Sequence, residues 1–225
     1  LSERYFFRDP SRLNYSDPAY FFAPADGIIL YAREVGPAQE LVQIKGRSYS
    51  LRTALRDESF DRTCLVIGIF MTFYDVHVNR VPYPGRLSYR ELDTIDTFNY
   101  PMLDVEKDIL EEIAPYTAGA GYLFNNQRVI NRIVSIDLGL TYYVLQVADY
   151  DVDCITPFRI KQNQFFAQNE RFSMIRYGSQ VDLIIPLSPR WTLTPLLEAG
   201  MHVEAGLDPV VQIAPNPAQE LSHAT

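Results

Sequence analysis

The chain has 225 residues, 47% of them hydrophobic, which is enough to bury one sizeable core, in a single domain or in two intimately packed halves. Twenty Lys and Arg against 28 Asp and Glu give a net charge of −8, which argues against a nucleic-acid partner and against attraction of the whole protein to an anionic bilayer. No run reaches the roughly 18 consecutive apolar residues of a spanning helix, and the first residues lack the apolar block of a secretory leader; the chain opens on Leu1, so what precedes it stays open.

Residues 1 to 22 carry Pro10, Pro18 and scattered Ser, Asn and Asp with no sustained period, and are expected to form an extended arm. Within this arm Arg4, Tyr5, Phe6, Phe7, Arg8 and Arg12 set cations beside aromatics. That pairing suits either a membrane interface or the cover of a core edge. Asp26-Gly27 is a turn feeding a strand to Ala32, and Leu41 to Ile44 is a second strand ending at Lys45-Gly46. A short helix is expected over Tyr49 to Leu55, capped by Ser48 or Ser50, and Cys64 to Phe73 reads as a fully buried strand.

The polar segment Tyr74 to Gly85 follows, closed by two prolines. A strand over Arg86 to Phe98 and a helix over Val105 to Ile113 come next, the helix with acids near its start. After Gly119 and Gly121, short strands are predicted over 129–136, 142–148, 153–158, 172–176, 181–186 and 192–197. Two turn-centred strand pairs, around Asp26-Gly27 and around 199–206, echo one another as halves of a sandwich would. The tail from Asp208 is expected to run extended over the surface. The fold class is therefore mainly β (α+β), a compact β-sandwich or barrel-like core with a few short helices. Cys64 and Cys154 sit in apolar runs and make no metal-ligand spacing with the three histidines, so they read as buried thiols of a reducing compartment and no metal is expected.

The polar outliers in this framework are Asp26, His77 with Asp75 and Arg80 close by, Asn126-Gln-Arg128, and Ser179 directly after Gly178. A Gly-Ser pair is ordinary turn punctuation, and a lone histidine at a strand end is commonly structural. An Asp, a His and a Ser are nevertheless the residue types of an orienter, a base and a nucleophile.

Several segments taken in order resemble the phosphatidylserine decarboxylase family, in its short form. They are Phe6-Phe-Arg-Asp-Pro10, Pro24-Ala-Asp-Gly27, Ile44-Lys-Gly46 with Tyr49-Ser-Leu51, Ile69 to Pro82 with Gly85, Asn126-Gln-Arg128, Val144 to Ala148, and Glu170 to Ser179 continuing to Pro186. The resemblance implies one domain over 1–225 that cleaves itself at Gly178-Ser179 into 1–178 (β chain) and 179–225 (α chain). Ser179 would become a pyruvoyl cofactor, with His77 as base and Asp26 as its orienter. It also implies decarboxylation of phosphatidylserine to phosphatidylethanolamine through a Schiff base, in the cytoplasm, with peripheral membrane contact through the N-terminal arm. No nucleic acid is expected, and homo-oligomer formation stays open.

The chain departs from the pattern in four places. Arg80 stands where long-form members have a second histidine, Ser173 where glycine is usual, Gln127 where glutamate is usual, and Asp151 and Asp153 where the family has arginines. Two aspartates repel a phosphate, which motivates a soluble amino acid or another non-lipid amine as alternative substrate. A non-catalytic binding module on the same fold is the remaining alternative.

Overall fold

The computed structural model describes residues 7–13, 15–111, 119–150, 154–176 and 179–217. Its strands are β1 (Tyr20–Phe22), β2 (Gly27–Val35), β3 (Glu40–Ile44), β4 (Arg47–Ser50), β5 (Cys64–Met71), β6 (Val78–Arg80), β7 (Gly85–Leu92), β8 (Arg128–Ser135), β9 (Leu140–Val147), β10 (Ile155–Pro157), β11 (Gln164–Phe166), β12 (Arg171–Ile175), β13 (Ser179–Pro186), β14 (Trp191–Pro195), β15 (His202–Val203) and β16 (Pro209–Pro215). Helices are short: Leu51–Leu55, Leu103–Leu110 and Tyr122–Asn125. The mainly β reading holds.

The strands form an eight-stranded antiparallel sheet in the order β11-β7-β8-β9-β13-β5-β2-β15, two three-stranded sheets, β1-β16-β14 and β10-β12-β6, and the hairpin β3-β4. Every residue of β5 and β13 is buried, because both strands lie inside the large sheet and both faces of that sheet are covered. Alternation then sorts their side chains. Ile67, Ile69, Met71, Val181, Leu183 and Ile185 enter one core with Phe21, Val211 and Ile213 from the first small sheet and Phe172 and Ile175 from the second. Val66, Phe70 and Ile184 enter the other, under Leu41, Tyr49, Leu51, Val105 and Tyr122. One side is thus a sandwich of sheets and the other is closed by a hairpin and helices, while the strand order describes an open sheet with two edges.

Four local expectations change. Residues 209–215, expected to run extended over the surface, form a paired strand instead: β16 is the middle strand of its sheet with Val210 and Val211 fully buried, and its prolines stand only at its two ends. The helix expected from Tyr49 begins at Leu51. Before it, β4 turns back on β3 through Lys45 and Gly46, both at positive φ, and Ser50 caps the helix by accepting the Thr53 N–H at 3.4 Å. The strand begun at Gly85 stops at Leu92, and inside the polar segment that precedes it a further strand, β6, pairs with β12. The two echoing turns lie side by side, with His202 opposite Ile28 and Val203 opposite Gly27.

Two glycines make this packing feasible. Gly27 has φ +147°, and a Cβ there would stand 2.1 Å from the Phe70 carbonyl oxygen. Gly68 lies under the Tyr31 ring, where a Cβ would meet ring carbons at 2.4–2.9 Å. Gly68→Ala is expected to lower stability by roughly 2 kcal/mol, the cost of overpacking a close-packed core, with the chain still folded. A urea titration checks this, and an unchanged midpoint would show that the Tyr31 ring has room to move.

Candidate active site

Ser179 heads β13 opposite Met71 of β5 and is fully buried. Its hydroxyl donates to Met71 Sδ at 3.3 Å, and Asn79 Nδ2 reaches the same sulfur at 3.8 Å from β6. Behind them runs a chain of buried amides. Gln146 Nε2 donates to Asn79 Oδ1 at 2.6 Å and to Ser173 Oγ at 3.0 Å, and Gln146 Oε1 accepts Asn131 Nδ2 at 2.8 Å. Neutral amides are costly in an apolar layer unless each is bonded. Here β6, β8 and β9 each contribute one amide, and β12 adds the Ser173 hydroxyl.

His77 lies at the end of the loop between β5 and β6, and carboxylates from three elements bind that loop's backbone. Asp75 Oδ2 accepts the Thr72 N–H and hydroxyl, both at 2.7 Å. Glu106 Oε1, from the helix Leu103–Leu110, accepts the Phe73 N–H at 2.7 Å, and Asp26 Oδ2 accepts the Val76 N–H at 3.3 Å. The other oxygen of Asp75 bonds His202 Nε2 at 2.7 Å. The His77 Nδ1 lies 3.0 Å from the Asp75 carbonyl. A carbonyl oxygen only accepts, so Nδ1 carries the proton and Nε2 the lone pair. Burial pushes the His77 pKa down to about 4, against the raising influence of the Asp75 hydrogen bond, so the ring is neutral near pH 7.

Asp26, the expected orienter, is 3% exposed and engaged elsewhere. Arg12 grips both of its oxygens at 2.6 Å, and the Ala205 N–H donates to Oδ1 at 2.7 Å. One link from Asp26 to His77 runs through the Val76 N–H, and the imidazole Nδ1 faces the Asp75 carbonyl. The structure thus brings Asp26 against the loop that carries His77 and places Ser179 at the adjoining strand end, while Gly178, Asp151 and Asp153 lie outside the described residues. Of the N-terminal aromatics, Phe7 is exposed and Tyr5 and Phe6 also lie outside. Gln127 donates its N–H to Asn99 Oδ1 at 2.8 Å, and Arg128 donates to the carbonyls of Ala54 and Leu123, so this pair is built into the fold.

Sequence reasoning missed Arg12 as the partner of Asp26, and Glu106, His202 and the amide chain. Only Glu106 left a signal, an acid on the apolar side of a helix. On the opposite face of β13, Gln180 and Asp182 join Tyr31 and Tyr122: Tyr31 donates to Asp182 Oδ1 at 2.9 Å, and Tyr122 to Gln180 Oε1 at 2.6 Å. Burial raises the Asp182 pKa to about 6.

A β-rich chain that gathers its polar side chains in the interior, around one strand end, has the arrangement of a reaction centre more than that of a surface-recognition module. The family model described as phosphatidylserine decarboxylase matches residues 4–210, and the chain belongs to that family. Among curated relatives, the "Phosphatidylserine decarboxylase proenzyme" of Erythrobacter litoralis is 29% identical over 214 residues, 94% of this chain and 73% of the relative. A Methanocaldococcus jannaschii protein, provisionally named an archaetidylserine decarboxylase proenzyme, is 30% identical over 204 residues, 90% of this chain and 85% of its own. The phosphatidylserine decarboxylase proenzyme of Pelagibacter ubique is 31% identical over 179 residues, covering 80% and 67%. No solved structure gives a significant match. Among the described residues, no helix is long and apolar enough to cross a membrane.

Burial raises the Glu106 pKa from an ordinary 4.5 to about 7, so the folded chain holds this proton more tightly than the unfolded one. Stability attributable to Glu106 therefore falls as pH rises from about 4.5 to about 7 and is level above. Glu106→Gln keeps an acceptor for the Phe73 N–H and removes the titration. Its advantage in unfolding free energy over the parent is expected to grow across that window, measured by urea titration at several pH values. A constant difference would mean that Glu106 titrates normally.

Proposed function

We propose that the chain is a proenzyme that cuts itself between Gly178 and Ser179 and then decarboxylates phosphatidylserine to phosphatidylethanolamine, with a pyruvoyl group made from Ser179 as its cofactor. The observation that carries this reading is the dry setting of the Ser179 hydroxyl at the head of β13, in a family whose curated relatives are named proenzymes. Attack of Ser179 Oγ on the Gly178 carbonyl breaks the peptide bond and forms an ester, the hydroxyl proton passing to the freed amine. Loss of the Ser179 Cα proton then expels the Gly178 carboxylate. Water replaces nitrogen, which leaves as ammonia, and a ketone remains. Such a sequence needs an interior that keeps water from the ester until elimination, and the buried position of Ser179 fits that need.

The group supplies an electron sink for the bond that breaks as carbon dioxide leaves. His77 supports both stages. With Nδ1 bonded to the Asp75 carbonyl, Nε2 is the basic nitrogen, and a low proton affinity keeps it free to accept a proton at neutral pH. That same low affinity makes a protonated His77 a ready donor to the substrate's α-carbon. Asp26 acts as positioning residue, holding the loop by the Val76 N–H while Arg12 holds Asp26.

A lipid substrate is favoured by the loop's surroundings. Phe7, Phe73 and Tyr74 are exposed, and Arg8 donates to the Tyr74 carbonyl, so apolar rings and a cation share one edge suited to a bilayer interface. The reading places the protein in the cytoplasm, touching the membrane through this arm. Cys64 and Cys154 are buried and not joined in a disulfide, which accords with a reducing compartment.

Denaturing mass measurement of the purified protein is expected to give two fragments, 1–178 and a carbonyl-blocked 179–225, whereas Ser179→Ala stays one chain. A wild-type chain that remains intact at 25.8 kDa after prolonged incubation sinks the proposal. His77→Ala is expected to slow cleavage at least ~100-fold, the usual worth of a general base. With His77 deprotonated above about pH 4, the wild-type cleavage rate should be level from about pH 5 to 8 and drop below 4. A midpoint near pH 6.5 would show that burial does not lower the His77 pKa. Carbon dioxide released from phosphatidylserine vesicles and not from free serine supports the lipid substrate; the reverse pattern supports the soluble amine that Asp151 and Asp153 motivate.

A further inference from the structure

Arg171 of β12 stands directly opposite Arg80 of β6 in the sheet. Like charges in facing positions destabilise a sheet, and an anion beside the pair relieves that repulsion. The anion present is internal. Asp9, from the N-terminal arm, reaches Arg80 Nη2 at 3.8 Å with Oδ1 and accepts a hydrogen bond from Arg171 with Oδ2. Arg12 is fully occupied by Asp26 and the Ala205 carbonyl, and Glu170 by Arg159 and the Ala167 N–H, so two guanidinium groups share one carboxylate.

Arg80 is also fixed in place. Its side chain is 7% exposed, Nη1 donates to the Asn169 carbonyl at 3.0 Å, and its Cδ lies where a Cβ on Gly206 would come within 2.7 Å. Arg171 is half-exposed and open to approach from outside. One guanidinium is thus preorganised and the other adaptable. Burial, then Arg12, depress the Arg80 pKa, with Asp9 opposing them and Arg171 adding to the depression, as befits a cation short of counter-charge. Arg80 lies three residues past His77, about 10 Å along the strand.

We infer that Arg80 and Arg171 form an anion subsite beside the candidate centre, that it takes a tetrahedral phosphate, and that Asp9 is a built-in stand-in which the incoming phosphate displaces. The inference rests on reading the centre as one that acts on a phosphate-bearing molecule. It relocates the phosphate contact away from Asp151 and Asp153. Two guanidinium groups suit such a ligand because each donates in a fixed fork to paired oxygens, and a phosphate offers more acceptor oxygens and charge than the carboxylate it replaces.

The test measures binding in the full chain of two probes, inorganic phosphate by calorimetry and phosphatidylcholine vesicles with or without phosphatidic acid by cosedimentation. Asp9→Asn removes the internal competitor and is expected to tighten binding of at least one probe about fivefold, the net scale of one ordinary hydrogen bond. Adding Arg171→Gln, a change at a half-exposed side chain, is expected to abolish the gain. Glu34→Gln, the same change of charge at an exposed position on β2, is expected to give none. A gain with phosphate alone assigns the subsite to a soluble phosphate ester, and a gain with phosphatidic acid vesicles alone to a lipid headgroup. Equal binding by parent and Asp9→Asn in both arms, or a gain that survives Arg171→Gln, overturns the subsite. Neither probe requires cleavage. Normal self-cleavage and carbon dioxide release without an Asp9 response removes only the subsite, while an Asp9 response in a chain that never cleaves removes only the proposed function.

Discussion

The carboxylate of Asp26 is the constraint on which the rest of this centre depends. Its two oxygens join three stretches far apart in sequence: Arg12 of the arm, the Val76 N–H of the loop that carries His77, and the Ala205 N–H of the turn after β15. A buried carboxylate is costly unless paired and fully hydrogen-bonded, and this one is both. Once Arg12 is in place the arm cannot leave without stranding a buried charge, a penalty of about 3–5 kcal/mol. The arm, which by its own composition has little reason to order, is thereby committed to the mouth of the site. It brings Arg8 to Tyr74 and Asp9 to the facing arginines.

The same principle runs through the interior. A core built only from the apolar residues of β5 and β13 would be more stable, yet the end of the sheet near Ser179 carries Asn79, Gln146, Asn131 and Ser173 on one face and Gln180, Asp182, Tyr31 and Tyr122 on the other. Each hydrogen bond returns only about 1 kcal/mol net, so these networks add little stability relative to apolar packing. What they provide is a polar, water-poor region of fixed geometry, in which a hydroxyl and an imidazole have defined partners. The carboxyls that end in it, Glu106 and Asp182, are held toward their neutral forms by burial.

Much of this was legible from the chain itself. The run Cys64 to Met71 announces a strand covered on both faces, the alternating segments announce the rest of the large sheet, and Asp26, His77 and Ser179 stand out because polar residues there break an apolar pattern. Other features were hidden for identifiable reasons. β16 carries prolines at both ends and follows a turn, so composition reads as surface although tertiary pairing buries Val210 and Val211. β6 is three residues long and polar, and pairing with β12 makes it a strand. Arg12 looks like a membrane-seeking cation because nothing local to it shows the carboxylate it will meet. The link between His77 and a backbone carbonyl, in place of the Asp26 side chain, was beyond reach, since hydrogen bonds to main chain leave no mark on residue identity.

The place of β13 in the large sheet bears on what the proposed cleavage would leave behind. The strand pairs with β5 along its whole length and with β9 on its other side, while β15 joins β2, and β16 fills the middle of a second sheet between β1 and β14. A break immediately before Ser179 therefore severs the chain without freeing either piece, because the shorter piece supplies strands to the interior of the longer. The two would part only by global unfolding. Once parted, neither holds a complete core, and recovery becomes a bimolecular search between two chains in place of the unimolecular folding of one. Durability of such a cut protein is a matter of its unfolding rate, and a denatured sample returns poorly even where the uncut chain would refold.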